Sequence, residues 1–205
     1  AVGGGRLYSL FPRRCAACGV STKFWMCAGC LPDVSHVMDA PSEHLHTLVY
    51  LSAYDTPLGA LIRRSKIDGL RDTFLNLGQH IAKITPSTRI LQNIDGVVAV
   101  PSPWPRRLRR GFSPSATFAH GYAQARDLKT YRPLHLKPGP RQATLTKRAR
   151  ETNILHRLSS SGTVPPHLLL IDDIYTTGRT LDQCAQHLRS LGAITVIGLV
   201  ACVSQ

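Results

Sequence analysis

Two adjacent carboxylates followed by a hydroxyl-rich loop are where residue type and spacing in this 205-residue chain first suggest chemistry. They lie in HLLLIDDIYTTGRT, His167 to Thr180, with Asp172 and Asp173 directly after the apolar run Leu168–Ile171. Thr176, Thr177, Gly178 and Thr180 follow. Hydroxyls and backbone N–H groups in such a loop can converge on one anion. Gly178 allows close approach of the main chain, and a helix starting there adds the positive end of its dipole. Two carboxylates beside an anion pocket would repel a simple phosphate. They make sense as acceptors for the two hydroxyls of a ribose whose 5-phosphate occupies the loop. The plainer alternative is an acid pair that only caps a loop.

The cysteines form a second constellation. Four of the six fall in CAAC and CAGC, as Cys15, Cys18, Cys27 and Cys30, with eight residues between the pairs. Each C-x-x-C can present two thiolates to one ion, so the set supplies a closed tetrahedral Zn²⁺ site, structural because no ligand position stays open. Two disulfides are the alternative, which a reducing compartment disfavours. Cys184 and Cys202 sit in apolar surroundings and read as core. His36, His44 and His46 have no matching acid or Cys pattern and read as surface histidines.

Charge is the third signal. The formal net charge is +13, and it is unevenly placed. Gly96 to Ile171 holds thirteen lysines and arginines against two acids, Asp127 and Glu151. One cluster is Arg106, Arg107, Arg109 and Arg110; the other is Arg141, Lys147, Arg148, Arg150 and Arg157. The partner of such an excess should be polyanionic, and pyrophosphate or a nucleic-acid backbone both qualify.

Elements that would position these groups alternate regularly. The unbroken apolar run Leu168–Ile171 predicts a strand covered on both faces, as in a parallel sheet. Ligands of such sheets sit beyond the carboxyl ends of strands, where the two aspartates fall. Leu181, Cys184, Ala185, Leu188 and Leu191 recur at helical spacing, with Thr180 to Gln183 reading as a capping box and Gly192 as the stop. Upstream, Leu48–Leu51 reads as a strand, and Tyr54, Leu58, Leu61 and Ile62 as a helix face that ends at Asp68-Gly69. Phe74, Leu77 and Ile81 mark another helix. Val97–Val100 reads as a strand closed by Pro101-Ser102-Pro103. Ser113-Pro114 opens a helix through Phe118 and Tyr122, and Thr195–Val203 is a final strand. The alternation predicts an α/β fold, a mostly parallel sheet with helices on both faces. The expected plan is a zinc-binding module at 1–36, a linker at 37–46 and the α/β domain at 47–205. No apolar run approaches bilayer-spanning length and no signal peptide is visible, so the expectation is a cytoplasmic protein without membrane insertion.

Two acids, two residues and Thr-Thr-Gly-x-Thr resemble the phosphoribosyl pyrophosphate (PRPP) motif of the type I phosphoribosyltransferases. Over nearly the whole chain the residues resemble the ComF (ComFC-type) competence proteins, which join a four-Cys zinc finger to a phosphoribosyltransferase-like domain. Besides the cysteines and DDIYTTGRT, the resemblance rests on Tyr54-Asp55-Thr56-Pro57-Leu58 leading to Lys66, on Val100-Pro101-Ser102-Pro103 with Arg109-Arg110-Gly111-Phe112, and on Gln142-Ala143-Thr144-Leu145 through Arg150 and Asn153. Ser113-Pro114 stands where the family has Asn-Gln, and Ala149 where an acid is common. The resemblance implies PRPP contacts from Asp172, Asp173, Thr176, Thr177, Gly178 and Thr180. It implies a pyrophosphate turn at Pro101 and Ser102 assisted by Arg109, Arg110 and Lys66, and Mg²⁺ bound with PRPP. A mobile loop would carry Arg141, Gln142, Arg150 and Asn153, closing to exclude water from an oxocarbenium-like centre. Single-stranded DNA would meet Arg106, Arg107, Arg109, Arg110, Lys147 and Arg148, and a ComFA-type helicase is the implied protein partner. Thr176 stands where purine salvage enzymes of this fold commonly carry an Asp that handles the base's proton, a task beyond Thr near neutral pH. Three functions therefore stand open: a single-stranded-DNA-handling competence protein, a working phosphoribosyltransferase on an unidentified acceptor, and a PRPP-gated adaptor without chemistry.

Overall fold

The computed structural model describes residues 13–33, 35–39, 41–85, 89–137 and 157–204. Arg141, Gln142, Lys147, Arg148, Arg150 and Asn153 lie outside the described residues. Two short strands, β1 (Arg13–Arg14) and β2 (Ser21–Thr22), pair antiparallel around the first cysteines. Then come β3 (His36–Asp39), β4 (Thr47–Ala53), α1 (Pro57–Asp68), α2 (Arg71–Ile84), β5 (Gly96–Ala99), α3 (Trp104–Arg110) and α4 (Pro114–Arg126). The chain continues through β6 (Thr130–Tyr131), β7 (Leu134–Leu136), β8 (Leu158–Ser160), β9 (His167–Ile171), β10 (Ile174–Tyr175), α5 (Arg179–Ser190) and β11 (Thr195–Val203).

The main sheet runs β3-β4-β11-β9-β5-β6, with β10 also beside β11. All pairings are parallel except β3 on β4. The predicted mixed α/β fold with a mostly parallel sheet is what forms. Strand β9 lies at the centre, with Leu168 opposite Gly96 on one side and Val196 on the other. Its period of two divides the core. Leu169 and Ile171 join Val97, Leu199, Phe74 and Phe118 on the face covered by α1, α2 and α4. Leu168 and Leu170 join Val98, Val200, Leu181 and Leu188 on the face covered by α5.

Helices α2 and α4 meet through glycine. A Cβ at Gly78 would press on the Phe118 carbonyl and lie 2.6 Å from the Tyr122 nitrogen, and one at Gly121 would strike the Leu75 carbonyl. Neither position tolerates a side chain without moving a helix backbone.

Two readings are corrected by local detail. The stretch read as a linker carries β3, paired residue for residue with β4 from His36↔Tyr50 to Asp39↔Thr47. Thr180 is not an N-cap. Helix α5 already starts at Arg179, with Gly178 (φ 71°) as N-cap and no side-chain cap bond, because the turn enters the helix before Thr180 is reached. The arginine cluster at 106–110 is itself helical. Ser113, by contrast, caps α4 as expected, accepting from the Ala116 N–H with Pro114 in the first turn.

Candidate functional site

The alternation that divides the core also divides the acid pair. Asp172 and Asp173 follow β9 while the chain is still held along β11: Asp172 N donates to Leu199 O at 3.0 Å, and Ala201 N donates to Asp173 O at 3.2 Å. The two side chains therefore leave towards opposite faces. Asp173 pairs with Lys66 of α1, Oδ2 to Nζ 2.8 Å, with both side chains largely buried. Asp172 lines the loop's pocket on the α5 side together with Thr176, Thr177, Gly178 and Thr180. Its Oδ1 accepts from the Asp173 N–H at 2.9 Å. Burial, followed by the charge of Asp173, pushes the Asp172 carboxyl up to about 8, with Lys66 opposing only in part.

The loop presents free donors. Among the described residues the backbone N–H groups from Thr176 to Leu181 make no hydrogen bond, and no side chain caps α5. They surround a pocket of about 50 Å³. Gly178 matters here for two reasons: its φ of 71°, and the Tyr175 ring, whose hydroxyl packs where a Cβ would go. The glycine thus makes room first for Tyr175, a residue that sequence reading passed over as the motif's variable position.

At the neighbouring strand end, β5 leads into the Pro101–Pro103 turn. Ser102 and Ser113 share a hydrogen bond at 2.8 Å; Ser113 is 3.2 Å from Ser115, whose hydroxyl donates to the Val100 carbonyl at 2.6 Å. The Ser113-Pro114 departure thus fastens the turn to the start of α4. Beyond the turn, α3 has no buried residue. Arg106, Arg107 and Arg109 are exposed, while Arg110 is half-buried, its Nε without a hydrogen-bond partner among the described residues. Burial draws the Arg110 guanidinium below its ordinary value, and the facing charge of Asp173 works the other way. Between α3 and the β6–β7 segment lies an open cleft of about 700 Å³.

The four cysteine sulfurs lie within 4.8 Å of one another, with Cys18 and Cys27 Sγ 3.7 Å apart. Tetrahedral bonds of about 2.3 Å place sulfurs about 3.8 Å apart, so the cluster is positioned to bind a metal ion. Burial raises Cys15, but hydrogen bonds from the Cys18, Cys27 and Ala17 backbones outweigh it and hold Cys15 at about 6. Burial and the neighbouring cysteines push Cys30 up to about 12.

No family model matches the chain. Over 159 residues it is 32% identical to the DNA utilization protein YhgH of Salmonella typhimurium strain LT2, covering 73% of this chain and 68% of that protein. The chain belongs to the YhgH family. The Salmonella typhi YhgH protein is 30% identical over 158 residues, with the same coverage. Among solved structures, similarity is found to glutamine PRPP amidotransferase from B. subtilis complexed with ADP and GMP, and to an allosteric regulatory enzyme of purine biosynthesis. Each is 24% identical with a TM-score of 0.44 over 62% of this chain. The match spans 25% of either enzyme's chain.

In this YhgH-family chain the described residues that the resemblance implied for PRPP, apart from the exposed Arg109, fall into three groups. Asp172 and Thr176–Thr180 surround one pocket; Lys66, Asp173 and Arg110 form an adjoining charged cluster; the turn at Pro101 and Ser102 sits at the next strand end. The histidines have local partners. His36 stacks on Tyr50, and His44 binds Asp182 Oδ1 through its backbone N–H (3.0 Å) and its ring (3.1 Å). The Val196 N–H reaches the His46 ring at 3.3 Å.

Proposed function

We propose that this chain is a ComF-type competence protein that handles incoming single-stranded DNA in the cytoplasm during natural transformation, with a pocket for PRPP or a nucleotide at the Asp172–Thr180 loop. One observation carries the DNA half: α3 displays Arg106, Arg107 and Arg109 to solvent, buries none of its residues, and forms no ion pair with an acid among the described residues. A helix so placed serves an outside polyanion better than it serves the core. The relatives' description as DNA utilization proteins points the same way. Contacts of this kind go to phosphates, are indifferent to sequence, and weaken as salt rises. Lys147 and Arg148, outside the described residues, are proposed as further phosphate contacts. Affinity for a labelled oligonucleotide, followed by anisotropy between 50 and 200 mM salt, should fall steeply. Arg106→Ala with Arg109→Ala should flatten the slope by about one to two units; a flat wild-type profile would retire the proposal.

For the pocket, the free N–H groups around Asp172 support a sugar-phosphate ligand, with the phosphate on the loop and a ribose hydroxyl on Asp172. Mg²⁺ would arrive with PRPP, bridging its oxygens and keeping much of its water. The ion that fits the cysteines is structural zinc.

A second reading, the PRPP-gated adaptor, gains from Arg110. This residue ends the DNA-facing helix and feels the charge of Asp173, which itself pairs with Lys66. A ligand that disturbed that pair would reach α3 directly. Calorimetry with Mg²⁺ and PRPP, with and without oligonucleotide, should show each ligand altering the other's affinity by the same factor. Independent binding would eliminate gating.

A further inference from the structure

We infer that the cleft between α3 and the β6–β7 segment is a stacking site for a nucleobase of single-stranded DNA, so that the strand is held by a base as well as by its phosphates. The inference rests on the DNA-handling reading above and names the place where that strand is gripped. On α3, Trp104, Arg107 and Leu108 share one face, as spacings of three and four require, and that face forms one wall of the cleft. Trp104 and Leu108 remain 65% and 70% exposed although both line a concavity of about 700 Å³. Among the described residues the indole's one ring partner is the Arg107 guanidinium, on a helix with no buried residue.

The opposite wall brings Tyr131 and Arg132. Tyr131 is braced from behind, its ring filling the space above Gly96 and the Lys129 ammonium lying 5.2 Å from its centroid. The Arg107 guanidinium stands 5.9 Å from the Trp104 ring centre. Among the described residues no acid lines the cleft. The occupant that matches is flat, at least partly apolar and joined to negative charge. A nucleobase carried on a phosphate chain has those properties, with the base against Trp104 and the flanking phosphates on Arg107 and Arg132. Aromatic faces of this kind take any base, which agrees with sequence-indifferent binding.

The test compares oligothymidylate with an abasic oligomer of equal length and charge, read by anisotropy and by tryptophan fluorescence. Wild-type protein should bind the thymidylate about 5- to 150-fold more tightly than the abasic strand, and only the thymidylate should quench fluorescence. In Trp104→Ala, checked for native circular dichroism, that preference should vanish while abasic binding is unchanged. Equal affinity for both strands, or a preference that survives Trp104→Ala, would overturn the stacking site and leave phosphate binding intact. Binding of neither strand would sink both this inference and the DNA reading beneath it. Quenching by thymidine monophosphate alone, with no response to either oligomer, would make the cleft a mononucleotide site and overturn the assignment to a strand.

Discussion

At neutral pH Asp172 holds its proton, because burial and the adjacent Asp173 push its carboxyl up to about 8. Unfolded, the same group ionises near 3.8. Between about pH 4 and pH 8 the folded chain therefore binds more protons here than the unfolded one, and stability falls as pH rises. Asp172→Asn removes that loss. Allowing for the group's partial exposure to water, the gain at pH 7.5 should be on the order of 2 kcal/mol. Thermal unfolding should show a higher midpoint for the variant at pH 7.5 and no advantage at pH 4; a constant advantage at both would refute the titration. Two carboxylates at a strand's carboxyl end were legible in the apolar run Leu168–Ile171. Their parting to opposite faces was latent in the strand's period of two, and reading them as a joint clasp for one ribose concealed it. Tyr175 left no signal, since its place against Gly178 follows from turn geometry rather than residue type.

Helices were legible where they bury a face and illegible where they do not. Phe74, Leu77 and Ile81 announce α2, whereas α3 has no buried stripe and surfaced only as a run of arginines. The two-residue strands β6 and β10 are too short to carry a period. The glycine contact between α2 and α4 also escaped notice, because it depends on which helix faces which. It makes a firm prediction. Gly121→Ala drives a methyl group into the Leu75 carbonyl, and neither backbone can yield without shifting the other helix. The expected cost is about 1–3 kcal/mol, visible as a lower urea midpoint with an unchanged slope. A midpoint within error of wild type would mean that the helices separate easily.

For the molecule as a whole, the cysteine module shares its core with the α/β domain. Cys15 and Met26 are buried in the same cluster as Leu58, Phe74 and Phe118, with Trp25 and Leu31 packed against it. His80 of α2 reaches the Pro32 carbonyl at 2.7 Å. Metal loss should therefore be felt well beyond the module. Elemental analysis should find one zinc per chain. In a Trp104→Phe background, stripping it with a strong chelator should alter Trp25 fluorescence and lower the single unfolding midpoint of the whole chain. A first transition confined to the tryptophan signal, with the rest of the chain unaffected, would count against a shared core. The cysteine spacing made the cluster legible, but nothing in it foretold that Cys15 and Met26 would join the core of the α/β domain.

Strand β3 carries a consequence of its own. The chain leaves the cysteine cluster and at once becomes the outermost strand of the sheet, paired over four residues with β4. A shortened version beginning at Thr47 would lose that border strand and the module's share of the common core, baring the edge of β4 beside apolar surface. An engineer who transplants one part must carry the other along.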